Sequence, residues 1–277
     1  MPAQQIAHNL AYINWTVLVG LAVGSFGVVV LGRLATGATR GYLAFTAFCA
    51  AGFAFLGYLS DTALPAVIAG SRVVPDPAFE GPRRFGLVAL VVVAVAYGIV
   101  VLRSRRAPVL GAGGLAIGVG TLGLAALSWG GPVPAGLPLF VQLVVLSAAT
   151  GGVFAAMILG HWYLVSPKLS ERPLVLVSRL LMWIVAAQVV LFVVSLATGA
   201  GDGRPPFEPL VGQWALFVWL RLIVGLTFPL VVSWAALQTA RSRSMESATG
   251  LLYINVGSIA AGTILAAGLY FGAGLLT

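Results

Sequence analysis

Two charged residues interrupt or end long apolar runs in this chain of 277 residues, and both are candidates for chemistry. Asp61 ends one run in GYLSDTALP, where a carboxylate can accept a proton from a quinol hydroxyl or can simply be a solvated charge at a helix end. Arg221 stands inside WALFVWLRLIVG and keeps its proton, so it needs a carboxylate, carbonyl oxygens or a polar ligand facing it. Because charges within a bilayer are energetically expensive, each is a functional candidate.

The histidines and the single cysteine limit the cofactors that the chain can hold. Cys49 alone cannot ligate an iron–sulfur cluster, and no CxxCH motif for covalent haem is present. His8 precedes the first apolar run and His161 ends the fifth, which places them on the order of 30 Å apart across a bilayer. This separation argues against a b-type haem held by both histidines, although ligation by one histidine and a methionine of another helix stays open. We predict no metal site.

His161 also begins a polar and aromatic stretch, in GHWYLVSPKLSERP. Aromatic side chains such as Tyr163 are common at membrane interfaces and need no chemical role there. The alternative interpretation is an inner quinone site or proton relay formed by His161, Tyr163 and Arg179. Arg179 can instead extend its charged end to the interface.

The composition indicates that lipid, rather than water, surrounds these residues. The chain is 60% hydrophobic and 8% charged, with a mean hydropathy of +1.04, whereas soluble domains are about 25% charged. Spanning runs need about 20 apolar residues. We therefore predict an all-α membrane protein, a single transmembrane domain over 1–277. Its eight or so helices are expected at about 12–33, 42–60, 85–102, 108–129, 138–164, 173–198, 212–238 and 247–275.

The distribution of basic residues predicts the orientation of this bundle. The odd-numbered connections carry nine basic residues: Arg33, Arg40, Arg103, Arg105, Arg106, Lys168, Arg172, Arg241 and Arg243. The even-numbered connections carry four: Arg72, Arg83, Arg84 and Arg204. By the positive-inside rule the odd connections are cytoplasmic, so both termini are expected outside. The net charge of +8 forms no basic helix or aromatic-interleaved patch, which argues against nucleic-acid binding.

Three local matches resemble one family. Trp15 precedes a small-residue run from Gly20 to Gly24 and Ser25, similar to that family's W…GLAxGS opening. Asp61-Thr-Ala-Leu-Pro65 matches its Asp-or-His, three residues, Pro pattern at the two ends, and Trp219-Leu-Arg221 resembles its arginine-bearing penultimate helix. With eight spans in about 280 residues, the chain resembles the NrfD-like and dimethyl-sulfoxide-reductase-anchor family of quinol-interacting membrane subunits.

The resemblance implies a function and a site. Asp61 would exchange protons with quinol and Arg221 would assist it, while menaquinone or ubiquinone would lie near the outer ends of the first, second and seventh helices. Besides Asp61 and Arg221, the outer-side residues are His8, Trp15, Gly20, Gly24 and Trp219. The implied partners are an iron–sulfur ferredoxin-like subunit and, beyond it, a molybdenum catalytic subunit. Arg83, Arg84 and Phe85 stand where that family carries an acidic residue.

The sequence therefore favours the membrane-anchor subunit of a respiratory oxidoreductase complex, in a bacterial cytoplasmic membrane, that is not catalytic alone. Two other functions stay open. One is a structural or assembly subunit of a respiratory or photosynthetic complex without its own quinone site. The other is a small-molecule transporter, which would need a water-accessible cavity at the middle of the bilayer.

Overall fold

The computed structural model describes residues 1–65, 73–104, 107–166, 169–199 and 204–277, and these residues form helices and connecting turns without any strand. Eight helices are long and apolar enough to cross a membrane, so the chain is a multi-pass membrane protein, and the predicted fold class is confirmed. The helices are α1 Pro2–His8, α2 Leu10–Ala35, α3 Arg40–Thr62, α4 Glu80–Leu102, α5 Pro108–Gly130, α6 Leu137–Val165, α7 Arg172–Thr198, α8 Ala215–Leu222, α9 Phe228–Arg241 and α10 Met245–Ala273.

Two helix starts differ from the predicted spans in ways that concern the candidate residues. Helix α4 begins at Glu80 rather than near 85, because the chain enters it through a short 3-10 turn at Pro77–Phe79. This start brings Arg83 and Arg84 into the first turns of a spanning helix instead of a loop. The seventh span consists of α8 and α9, joined by a π-helical turn at Ile223–Thr227.

Both termini lie at one end of the bundle, which we call the terminal end. The Ser195 hydroxyl near the end of α7 donates to the Leu276 carbonyl at 2.5 Å, and the Tyr270 hydroxyl of α10 donates to the Trp129 carbonyl of α5 at 3.0 Å. At the opposite end, the Arg243 Nε donates to Glu171 Oε2 at 3.0 Å. The orientation in the membrane stays a prediction. The charge count behind this prediction includes several residues that lie outside the described residues, namely Arg72, Arg105, Arg106, Lys168 and Asp202.

Helix α2 lies at the centre of the bundle, packed mainly against α3 and α6. It meets α6 backbone to backbone at Gly24 and Gly151. A Cβ on Gly24 would lie 1.9 Å from the Ser147 carbonyl oxygen, and one on Gly151 would lie 2.2 Å from the Ser25 nitrogen. Small residues allow such close approach in lipid, where van der Waals packing holds helices together. Gly24 is therefore used in helix packing.

Candidate functional site

Arg221 is buried in the terminal half of the bundle, with its side chain 1% exposed. Its Nη2 donates to the Gln188 Oε1 of α7 at 2.7 Å and to the Thr277 carbonyl oxygen at 3.4 Å. Within the described ranges, no Asp or Glu side chain forms a salt bridge with it. Amide and backbone oxygens, rather than an acidic side chain, therefore contact this guanidinium.

The π turn supplies a further partner for Arg221. Its Nη1 donates to the Gly225 carbonyl oxygen at 3.0 Å. In an α-helix that oxygen would accept from the N–H four residues later, and residue 229 is a proline without an N–H. The local sequence thus leaves one backbone acceptor to the arginine, which lies four residues before it on the same segment.

Two glutamine side chains beside Arg221 present donors. Gln188 is 6% exposed and Gln142 of α6 is 9% exposed. The oxygen of Gln188 accepts from Arg221, and the oxygen of Gln142 accepts from the Thr277 backbone N–H at 3.3 Å. Because each amide oxygen is engaged in this way, each NH₂ group is left to donate. The arginine Nε is also without a hydrogen-bond partner among the described atoms.

These polar groups line one side of a cavity of about 340 Å³ between α6, α7 and α8. The rest of its wall is almost entirely apolar, with contributions from Val141, Val145, Leu146, Leu191, Val194 and Leu276. Leu137 and Val194, which both line the cavity, are each 51% exposed on the lipid-facing surface of their helices. The arrangement, which we call the Arg221 cavity, can hold a molecule with a hydrogen-bond-accepting head and an apolar body.

Asp61 lies in a different environment at the same end of the bundle, and it is completely buried rather than solvated. Its carboxylate accepts from the Trp15 Nε1 at 2.8 Å, from the Arg83 Nε at 2.5 Å and from the Arg84 Nε at 3.0 Å. The Arg83 Nη2 adds a contact at 3.2 Å, and Glu80 pairs with Arg84 at 3.3 Å. We call Trp15, Asp61, Arg83 and Arg84 the Asp61 cluster. Two guanidiniums and an indole therefore donate hydrogen bonds to this carboxylate.

Aromatic rings enclose the Asp61 cluster. The Arg83 guanidinium carbon lies 5.1 Å from the centroid of the Trp129 ring and 5.9 Å from that of Trp15, which are cation–π distances. The two indoles meet edge to face at 4.7 Å. Arg83 Nη1 and Trp129 Nε1 are buried and without a hydrogen-bond partner in the described part of the chain. Asp61 does not line the Arg221 cavity.

The structure brings together only some of the residues predicted for a quinone site. Trp15 contacts Asp61, but Arg221 lies among α7, the π turn and Thr277 and has no contact with the Asp61 cluster. Trp219 is 45% exposed and donates its Nε1 to the Leu210 carbonyl at 3.1 Å. His8 is exposed in α1, and Gly20 faces Ser147 of α6 at ordinary contact distance.

The residues of the predicted inner site are separated as well. His161 is exposed, with its Nδ1 3.4 Å from the Tyr253 hydroxyl. Tyr163 is buried and donates to the Ser170 carbonyl, and Arg179 is exposed on α7. Within the described residues, His161, Tyr163 and Arg179 form no hydrogen bond with one another.

Four residues that define these two regions are not predicted as site residues from the sequence: Gln142, Gln188, Arg83 and Arg84. The two glutamines were detectable as lone amides inside otherwise apolar runs. The two arginines follow a proline-containing segment, which is typical of a loop. In the structure α4 begins before them, at Glu80.

A scan against protein-family models, a search of curated proteins and a search of solved structures each found no match to this chain. The geometry and the residues themselves are therefore the basis of the functional argument.

Proposed function

We propose that this protein is the membrane-anchor subunit of a respiratory oxidoreductase complex and that it holds a quinone or quinol in the Arg221 cavity. One observation carries the proposal. A buried arginine and two glutamine amides present hydrogen-bond donors to an apolar cavity that borders the lipid. A ligand that fits such a cavity accepts hydrogen bonds at one end and is apolar elsewhere.

A quinone matches each part of the cavity. Its carbonyl oxygens accept hydrogen bonds, and the Gln142 and Gln188 NH₂ groups, which have no hydrogen bond among the described residues, can donate them. Its ring and isoprenoid tail would pack on the apolar wall, next to the lipid-facing Leu137 and Val194. Arg221 would add a positive charge to the wall beside the head of the quinone.

Menaquinone or ubiquinone, when bound, supplies the electron and proton exchange of the complex. The chain itself positions the ring and excludes water with apolar side chains. Electrons would come from or go to an iron–sulfur partner subunit, with a molybdenum catalytic subunit beyond it. The proton-exchange role of Asp61 remains a prediction, because its carboxylate is enclosed by its cluster and does not line the cavity.

Binding of a short-chain ubiquinone and a short-chain menaquinone to the full-length protein in lipid nanodiscs tests the site. Arg221→Met and Gln142→Leu should each lower the affinity, by about tenfold for the arginine, which is the value of one good hydrogen bond to a charged donor. Leu216→Ala is the control, since Leu216 lies on the same helix as Arg221 and is 65% exposed. Wild-type protein that binds neither quinone would refute the proposed site.

The proposed partners are tested separately on the complex purified under mild conditions from its native membrane. Iron, acid-labile sulfide and molybdenum should accompany the chain in stoichiometric amounts, together with extractable quinone. If the chain is isolated intact without any metal-containing subunit, the assignment to a respiratory oxidoreductase fails even where quinone binds.

A second candidate is a structural or assembly subunit without a quinone site. The closed Asp61 cluster favours it, because a carboxylate held by two arginines and a tryptophan fixes helices α2, α3 and α4 relative to one another. For that function, substitutions in the Arg221 cavity would leave quinol turnover by the complex unchanged.

A further inference from the structure

Arg221 is held in place by two residues that do not themselves need to contact a ligand. Pro229 follows the π turn and lacks the N–H that would bond the Gly225 carbonyl oxygen, to which the Arg221 Nη1 donates at 3.0 Å. Gly262 of α10 lies against the same turn. Both residues contact or affect the same guanidinium, which belongs to the one charged side chain among the described residues that line the Arg221 cavity.

The role of Gly262 follows from the space around it. A Cβ on Gly262 would lie 2.7 Å from the Gly225 Cα, and 2.8 Å from both the Gly225 carbonyl oxygen and the Arg221 Nη1. A Cβ on Gly225 would in turn lie 2.6 Å from the Gly262 Cα and 3.1 Å from the Arg221 Nη1. The guanidinium therefore lies at a glycine–glycine contact between two helices. Any side chain at position 262 would need the room that Nη1 occupies.

The role of Pro229 follows from hydrogen-bond competition. With an ordinary residue at 229, the backbone N–H could bond the Gly225 oxygen in the α-helical manner. The arginine would then share that acceptor or lose it, and its guanidinium would be held by Gln188 and Thr277 alone. π turns within helices occur frequently at functional sites.

We infer that Pro229 and Gly262 are positioning residues, which fix the Arg221 guanidinium at the wall of the cavity and thereby set the affinity for the ligand head. This inference rests on the proposed function for the affinity, but its structural part concerns only Arg221 and is testable without any ligand. It assigns to the π turn a specific task, which is to leave the Gly225 oxygen for a side chain.

The first test is a double-mutant cycle in unfolding, with Pro229→Ala, Arg221→Met and the double variant of the full-length protein in nanodiscs. Arg221→Met removes the donor to the Gly225 oxygen in the wild type, whereas in the Pro229→Ala background the N–H of residue 229 can replace it. Arg221→Met should therefore shift the unfolding midpoint less in the Pro229→Ala background than in the wild type. Equal shifts in the two backgrounds would overturn the inference, whether or not quinone binds.

The second test measures the affinity of the same proteins for short-chain ubiquinone. Pro229→Ala should weaken binding by about three- to tenfold, the equivalent of one hydrogen bond, without loss of thermal stability. It should have no further effect in the Arg221→Met background. A merely structural proline would weaken folding and binding together, or neither.

The third variant is Gly262→Ala, which should weaken ubiquinone binding at least as much as Pro229→Ala. Its control is Gly257→Ala on the same helix, where a Cβ would meet nothing within 4 Å. If Gly262→Ala folds and binds like the wild type, Gly262 has no positioning role. If Gly262→Ala does not fold, Pro229→Ala still decides between the outcomes. If the unfolding cycle shows coupling but the wild type binds no quinone, the positioning of Arg221 by Pro229 stands and the proposed function is refuted.

Discussion

Two buried charges at the same end of this bundle, Asp61 and Arg221, have contrasting surroundings. The Asp61 carboxylate accepts from two guanidiniums and an indole, and aromatic rings cover the group. The Arg221 guanidinium is as deeply buried, yet no Asp or Glu side chain of the described residues pairs with it, its Nε has no partner there, and it borders a cavity. A carboxylate that accepts from two guanidiniums indicates a structural charge, whereas a guanidinium without an acidic side chain beside a cavity indicates a place for a ligand.

The two regions also differ in the free-energy cost of removing the central charge. Removing one partner of a buried ion pair leaves the other charge unpaired in a medium that cannot solvate it. Removing a buried charge that has no acidic side chain as a partner leaves unpaired acceptors but also removes a desolvated ion. The two regions should therefore respond very differently to loss of their central charge.

The largest effect is expected from Asp61→Asn. This change leaves the buried Arg83 without a counter-charge and Arg84 with Glu80 alone, and the free energy of unfolding should fall by about 3–5 kcal/mol. Denaturant unfolding in detergent micelles measures it. Thr62→Ala is the control, because Thr62 is the exposed neighbour on the same helix and should change stability by less than about 0.5 kcal/mol. Wild-type stability in Asp61→Asn would show that the cluster does not stabilise the fold.

A pair of tryptophan variants isolates one hydrogen bond of the cluster. Trp15 and Trp129 both pack against Arg83, but only the Trp15 indole donates to Asp61. Trp15→Phe and Trp129→Phe remove similar areas of aromatic ring. The difference in stability between the two variants therefore measures the hydrogen bond from the Trp15 indole to Asp61. Trp15→Phe should be less stable than Trp129→Phe by about 1.5–3 kcal/mol, the value of a hydrogen bond to a charged group. Equal losses in the same unfolding experiment would contradict the assignment.

A smaller effect is expected from Arg221→Met. The Gly225 and Gln188 oxygens lose their donor, but the relief of burying a charge offsets part of that loss. The net fall in the free energy of unfolding should be about 1 kcal/mol, with the flexible methionine filling the space. A loss as large as that of Asp61→Asn would mean that Arg221 is a structural charge, and the contrast between the two regions would disappear.

The sequence predicts the class of fold well and the sites only in part, for physical reasons. Composition and the length of apolar runs report directly on the solvent around a helix, so eight spans can be read from them. Asp61 and Arg221 stand out because charges in apolar runs are rare. What each charge contacts depends on the neighbouring helices, and spacing along the chain does not reveal it.

Arg83 shows why the partners are harder to predict than the charges. It lies 22 residues after Asp61, just beyond a segment rich in proline, and it was interpreted as part of a loop. Its burial depends on α4 starting at Glu80 and on two tryptophans from other helices. Gln188 is harder to predict for a different reason, since a neutral amide in an apolar run is a weaker indication of function than a charge.

The smallest effect is expected at the opposite end of the bundle, where Glu171 pairs with Arg243 outside the spanning helices. The backbone N–H of Glu171 and the Arg243 guanidinium lower the pKa of this carboxyl below its usual value of 4.5. Because the folded-state pKa is lowered, the stabilisation is complete above the unfolded-state pKa. It is lost as the pH falls through the lowered folded value. Because this pair is exposed, it is the reference against which the stability effects of the two buried regions are compared.

Glu171→Gln should therefore lower the unfolding midpoint only slightly near neutral pH, much less than Asp61→Asn does. The difference between Glu171→Gln and the wild type should vanish once the pH lies below the folded pKa of the carboxyl, and should also shrink at high salt, because exposed pairs are screened. Thermal unfolding of both proteins across the acid range measures it. A shift as large as that of Asp61→Asn would show that stability follows the presence of a charge pair rather than its burial, and burial would no longer separate structural from ligand-binding charges in this protein.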